Sequence, residues 1–265
     1  MDTQTIISAI EAIAPLSSQA NWDRSGLQVT AYRKTHKHLA VMLDPIPINL
    51  TSAIEIGCDC ILSHHPLSLK PDLPNVINNY FKALHLLISA DIPLYAAHTS
   101  LDTNLEGPAS WLADELKMTD RRALEGIDRD NPLKGYGLVG SCGKWPPDEF
   151  LSRIAAILPV DTATIVGDIP DVITRCAYCT GSGASLIPNA EREKADIYIT
   201  GDIKYHAALD ADICIIDVGH HCLEEEMMRR TSKVLAETLH GLTVTFIPSR
   251  DPIRSFEDRL SNFPL

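Results

Sequence analysis

A chain of 265 residues, 45% of them hydrophobic and 22% charged, can bury a large core and does not have the composition of a disordered protein. The formal net charge of −12, with no clustered Lys/Arg stripe, opposes a phosphate backbone and argues against a nucleic-acid groove. No apolar run reaches the roughly 18 residues of a membrane span, so a membrane protein is not expected either. The opening Met1-Asp2-Thr3-Gln4 lacks a basic leader-like region, and seven cysteines is an odd number in a chain too long to need stapling. Together these features predict a cytoplasmic protein with reduced thiols. A nucleotide substrate stays compatible with the acidity if bound cations supply positive potential locally.

In chain order, Ile6, Ile7, Ile10 and Ile13 recur at helical spacing and predict a core helix over 5–14, capped by Asp2 or Thr3 and closed by Pro15. The turn-rich stretch 21–29 carries Trp22 and Asp23 without helical period; a packed loop and a functional loop are about equally good readings. Residues 38–44 read as a buried strand ending in Asp44, and a helix follows over 50–56. The next strand, 58–62, runs into Ser63-His64-His65-Pro66, which makes a β-α-β unit and a parallel sheet with a right-handed crossover. Adjacent imidazoles just past a strand end can point in different directions and serve two metal ions, or one ion and its substrate. The alternative is a pair of polar residues where a strand meets solvent. A helix over 75–89 should turn Val76, Phe81, Leu84, Leu87 and Ile88 inward. The strand at 93–97 ends in His98-Thr99-Ser100-Leu101-Asp102, so two consecutive crossover strands place His and Asp at their carboxyl ends, the edge of an open α/β sheet where ligands bind.

A helix is predicted over 105–116, and the polar interval 117–133 interrupts the periodicity. The predicted boundaries are a first domain of 1–127 plus 218–265 and a second of 128–217. Within the second, strands are expected at 136–141, 163–167 and 173–180 and a helix at 147–158. Cys176 and Cys179 on one strand would face opposite sides, which disfavours a zinc knuckle. Gly181-Ser182-Gly183 reads as a tight turn in preference to a phosphate cradle. Residues 196–202 form a strand with a polar tip, and Asp202 and His206 would lie one helical turn apart if a helix followed directly. The apolar strand 213–218 leads to Gly219-His220-His221-Cys222-Leu223-Glu224; with a helix starting there, His220 and Glu224 share a face at i and i+4, the separation that lets two helical side chains grip one ion. Glu225 and Glu226 read as solvated acids favouring the helix dipole, and a helix over 227–239 and a strand over 242–247 close the fold.

Five blocks, in this order, carry a resemblance. They are Asn21-Trp22-Asp23 with Gly26-Leu27-Gln28-Val29, Ser63-His64-His65-Pro66, His98-Thr99-Ser100-Leu101-Asp102, Thr200-Gly201-Asp202 with His206, and Asp217-Val218-Gly219-His220 with Glu224. Over nearly its whole length the chain resembles the GTP cyclohydrolase 1 type 2 family, also called NIF-three-like proteins, in a short form without the domain that longer members insert. The resemblance implies two interlocked α/β domains with mostly parallel sheets flanking a dinuclear metal cleft. It also implies metal ligands at His64, His65, Asp102, His220 and Glu224, two divalent ions per chain, and a ring-shaped homohexamer. Ser100, His221 and Leu223 depart from the family's usual residues, which bears on substrate and rate more than on metal binding. Two such ions would acidify a bridging water and polarise the bond under attack, with His98, Asp202 and His206 as candidate proton shuttles. Nitrogen and oxygen ligands disfavour copper(I) and admit zinc, manganese, iron, nickel or cobalt. The implied reaction is opening of the GTP imidazole ring with formate release, or hydrolysis of another nucleotide; the alternative function is a non-catalytic, ring-forming regulatory metal protein.

Overall fold

The computed structural model describes residues 1–70 and 73–255. The chain divides into two compact units, Met1–Ala109 with Glu225–Ser249, and Ser110–Glu224 with the chain from Arg250. The first begins with α1 (Thr3–Ile13), β1 (Gly26–Val29), β2 (His38–Met42), α2 (Pro47–Glu55), β3 (Cys60–Ser63), α3 (Asn79–Ser89), β4 (Leu94–Ala96) and the one-turn α4 (Thr99–Asp102). The second contains α5 (Trp111–Glu115), β5 (Thr119–Gly126), β6 (Gly135–Trp145), α6 (Pro147–Ile157), β7 (Thr164–Val166), β8 (Ile173–Ser182), α7 (Ile187–Arg192), β9 (Ile197–Gly201), α8 (Tyr205–Leu209) and β10 (Cys214–Asp217). The long helix α9 (His220–Thr238) begins in the second unit and continues into the first, which β11 (Thr243–Phe246) completes.

Local chemistry sets the helix ends. The Asp2 carboxylate accepts the Thr5 N–H at 2.9 Å and caps α1, and the Asn78 side chain does the same for Phe81 at the start of α3. Pro47 and Pro147 begin α2 and α6, where a missing N–H costs nothing. Because α3 starts only at Asn79, Val76 lies outside it and is 61% exposed, and Ile88 is exposed as well; neither packs inward as the periodicity suggests.

The first unit's sheet has the order β1-β4-β3-β2-β11, parallel throughout except for the antiparallel β1–β4 pair. On one face Ala40, Met42, Ile61 and Leu94 pack with Leu50 and Ala53 of α2 and Ala83 and Leu87 of α3. On the other, Ile6 and Ile10 of α1 meet Leu39 and Tyr95 around a cavity of about 20 Å³. Burial on both faces explains why these strands read as continuous apolar runs. Since β2, β3 and β4 are parallel neighbours, their carboxyl ends bring Asp44, His64, His65 and His98 to one sheet edge.

The second sheet, β5-β6-β8-β9-β10-β7, keeps a parallel centre, β8-β9-β10, between antiparallel outer strands. Among the described residues, five of the nine strand pairings in the two sheets are parallel. Leu124, Val139, Ala177, Tyr198 and Ile215 form its core with Ile187 and Ala190 of α7. The strand β5 falls in the interval 117–133, where charged side chains hide its period, and its pairing with β6 places 119–126 in the second unit. That unit therefore starts at Ser110 and extends through Glu224, where the sequence places it at 128–217. Residues 256–265 of the expected first domain lie outside the described residues. Among those described, no helix is long and apolar enough to cross a membrane, and all seven cysteines are free thiols.

Candidate metal centre

Three histidines cluster at the sheet edge of the first unit. The rings of His64, His65 and His98 lie with centroids 5.1 to 5.5 Å apart, and one ring nitrogen from each falls within 4.8 Å of the others. Each ring is oriented through Nδ1. His64 Nδ1 is 2.9 Å from the Ala97 carbonyl oxygen, His65 Nδ1 is 2.7 Å from Asp44 Oδ1, and His98 Nδ1 is 2.7 Å from Asp23 Oδ1. A carbonyl or carboxylate can only accept, so each Nδ1 carries the proton and Nε2 is the donor atom of the neutral ring. This is the arrangement in which a histidine's partner fixes the tautomer that binds metal. Asp102, the last residue of α4, brings Oδ1 to 3.7 Å from His64 Nε2. Two donors on one ion at about 2.0–2.2 Å can be up to roughly 4.4 Å apart, so this pair fits a shared ion.

Asp23, which the sequence leaves within an ambiguous loop, is the most heavily bonded carboxylate here. It is buried and accepts from His98 Nδ1, the Arg24 and Thr99 N–H groups, and the Ser25 and Thr99 hydroxyls. Burial raises its pKa, but the hydrogen bonds from His98, Thr99 and Ser25 outweigh that and hold the carboxyl well below the usual carboxylate range. One side chain thus orients His98 and satisfies the first N–H of α4, whose carboxyl end bears Asp102. Trp22 beside it stays 61% exposed with its ring edge-on to His98 at 5.8 Å.

The second unit holds its own donor set. His220 and Glu224 share one face of α9, with Nε2 and Oε2 2.9 Å apart, while His220 Nδ1 is 2.7 Å from Asp202 Oδ2. Hydrogen bonding to Glu224, together with the charges of Glu224 and Asp202, outweighs burial and lifts the His220 pKa to about 9. The imidazolium so held between two carboxylates marks a position with affinity for positive charge. Asp202 adopts a left-handed backbone conformation, φ 61°, which is uncommon outside glycine. Asp217 ties the adjoining strand ends together, accepting the Gly219 N–H at 2.9 Å and the Ile203 N–H at 2.8 Å. Gly181, at the end of β8, leaves the space Glu224 occupies: a Cβ there would come 2.0 Å from Glu224 Oε1 and 3.2 Å from His220 Nε2. The sequence presents Gly181-Ser182-Gly183 as a tight turn; Gly181 and Ser182 are instead the last residues of β8, and Gly181 makes a cradle for two candidate ligands.

Asp202 contacts His220 as an orienting group. His206 is placed differently. Helix α8 begins at Tyr205, so Asp202 precedes it and the expected helical relation between the two is absent. His206 is exposed with its ring edge-on to Tyr205, and among the described residues it makes no hydrogen bond to Asp202 or His220. Ser100 is buried with its hydroxyl donating to Ser25, and Leu223 is buried with its carbonyl accepting from the Trp111 indole. Glu225 and Glu226 are not simply solvated: Glu225 bonds the Ser249 N–H and hydroxyl, and Glu226 pairs with Arg229 and Arg230. Asp23, Asp44 and Gly181 are the contributors the sequence reading left out of the site, although Asp23 sits in a block carrying the resemblance and Asp44 ends a strand beside His65.

The model of the Duf34/NIF3 (NGG1p interacting factor 3) family matches residues 1–252. A curated relative from Clostridium perfringens, called a GTP cyclohydrolase 1 type 2 homolog, is 30% identical over 97% of this chain and 99% of its own length. Among solved structures, a Bacillus cereus protein related to NIF3 superposes with a TM-score of 0.87 at 21% identity, covering 96% of this chain and 99% of that one, and is a likeness of fold. Reduced HcgD from Methanocaldococcus jannaschii gives a TM-score of 0.80 at 27% identity, covering 93% and 98%.

Proposed function

Because the chain belongs to the DUF34/NIF3 family, we propose that it is a metal-dependent hydrolase whose two donor sets serve two divalent ions and whose substrate is a nucleotide, GTP in the first instance. The observation that supports this best is the shared orientation of His64, His65 and His220, each of which turns Nδ1 to a carbonyl or carboxylate and so leaves Nε2 as the nitrogen suited to coordination. His64, His65, Asp102, His220 and Glu224 would be the ligands, an all-nitrogen and oxygen set suited to zinc, manganese, iron, nickel or cobalt. When bound, the ions supply an acidified water and a Lewis acid.

The remaining steps belong to the chain. His98 would pass a proton at the cluster, and its Nδ1 contact with Asp23 at 2.7 Å, which orients the ring, supports this role. Asp202 acts through His220 as a positioning residue. For His206 the resemblance alone supports a proton-shuttling role. With GTP the reaction is addition of one water at C8 of the guanine and cleavage of one C8–N bond, which opens the imidazole ring to an N-formyl compound. Attack of a second water on that formamide then breaks the other C8–N bond and releases formate, with both nitrogens left as amines. The proposed assembly is a homohexameric ring. The test is to purify the protein without added metal, reconstitute it with each candidate ion, and follow formate release and nucleotide loss for GTP and other nucleotides. Turnover that needs metal and is lost in His64→Ala supports the reading. Full metal loading without turnover of any nucleotide overturns it in favour of a regulatory metal protein.

A further inference from the structure

Beside His65 the first unit has a recess of about 130 Å³ that the metal ligands do not fill. An enclosed apolar cavity of about 150 Å³ is known to hold benzene, so this recess of similar volume, which opens to solvent, has room to seat a planar ring while the rest of a larger molecule lies outside it. Its walls are stiff. Pro45 and Pro66 follow the carboxyl ends of β2 and β3, and the buried Asn49 amide fixes the intervening turn by donating to the Asp44 carbonyl at 2.9 Å. Its floor and rim combine an aromatic ring, Tyr80, with an amide, Asn79, both at the start of α3, and a carboxylate, Asp44. A largely preformed, mostly apolar hollow with a few convergent polar groups is the usual form of a small-molecule site.

We propose that this recess is a binding subsite for a planar nitrogen heterocycle, the base of a nucleotide, seated against Tyr80 with its N–H edge on Asp44 and Asn79. A carboxylate has about four acceptor sites, so Asp44 can take an N–H from the base while holding His65 Nδ1 at 2.7 Å. The same side chain then links the seated base to the orientation of a candidate metal ligand. The choice of a base as occupant rests on the nucleotide reading above; the size, stiffness and polar edge of the recess do not.

Guanosine, which has no phosphate to bind an ion, is the probe, and ribose 5-phosphate is the control. Binding is measured by calorimetry on the full chain, on Tyr80→Ala and on Ile46→Trp, with ion content measured for each. Ile46 lines the recess and is 41% exposed, and it precedes α2 without a side-chain capping bond, so tryptophan there fills the recess without removing a cap. The expected result is guanosine binding that weakens about tenfold or more in both variants, in keeping with loss of a base-stacking ring or of the space for the base. Ion content and ribose 5-phosphate binding should not change. Guanosine binding that is absent from the parent chain, or equal in all three proteins, overturns the subsite. The two readings fail separately: binding of guanosine by a chain that takes up no metal sinks the hydrolase and keeps the subsite. Nucleotide hydrolysis with an unchanged KM in Ile46→Trp does the reverse.

Discussion

Replacing Gly181 with alanine tests the second donor set most directly. The new Cβ would stand 2.0 Å from Glu224 Oε1, 3.0 Å from its Cδ and 3.2 Å from His220 Nε2, and Glu224 is buried with little room to retreat. Two costs add. Gly181 has φ +60°, and an L-residue in that region loses about 1–2 kcal/mol, part of which is offset by the smaller entropy of unfolded alanine. Overpacking a filled site costs about 1–3 kcal/mol more. The sum, about 2–4 kcal/mol, corresponds to a fall in Tm of roughly 5–15 °C for a chain of this size. Gly143→Ala is the control, because Gly143 has φ +82° but nothing within 4 Å of its Cβ position, so it carries the conformational cost alone, about 2–4 °C. Scanning calorimetry gives the melting points and elemental analysis the ion content, which should fall by about one ion in Gly181→Ala and stay constant in Gly143→Ala. Equal melting points with full ion content in both variants would refute the close approach of Gly181 to Glu224 and with it the role given to this pair.

Reconstitution with excess metal is expected to give about two divalent ions per chain, and a plateau at one ion or fewer in elemental analysis would contradict the dinuclear reading. His220→Ala and Glu224→Ala should each lose at least one ion while His221→Ala, about 100° further round α9, retains both; the opposite pattern would show that the wrong histidine has been assigned. The His220 pKa is raised from 6.5 to about 9, so its contribution to stability in the metal-free protein is complete below about pH 6.5 and is lost as pH rises through 9. A cation must displace that proton, so apparent affinity should rise about tenfold per pH unit up to about 9 and then level, and a flat profile in metal titrations between pH 7 and 9 would count against it. Sedimentation should find a hexamer at micromolar concentration, where a monomer would contradict the proposed ring.

Much of the fold follows from local pattern. The apolar runs that became β2, β3 and β4, the helical spacing of Ile6 and Ile10, and the punctuation by Pro47 and Pro147 each need only neighbouring residues to be read. The adjacency of His64 and His65 past a strand end, and the i, i+4 spacing of His220 and Glu224, are local in the same sense. Strand β5 was not legible, because its residues are largely exposed and charged and it is a strand only through its pairing with β6. The short α8 removed the expected relation of Asp202 to His206, since Ile203 and Lys204 stand between them before the helix starts.

By itself, the sequence determined which residues end the parallel strands, because the alternation of apolar runs and breakers is written along the chain. Only the tertiary structure decided how those residues are held. Asp23 reaches His98 across 75 positions of sequence, the Ala97 carbonyl reaches His64 across 33, and Gly181 of β8 yields space to Glu224 of α9. Such contacts have no period and no fixed spacing. They depend on where the sheet brings its strand ends together, and it is they that fix how each histidine ring is turned.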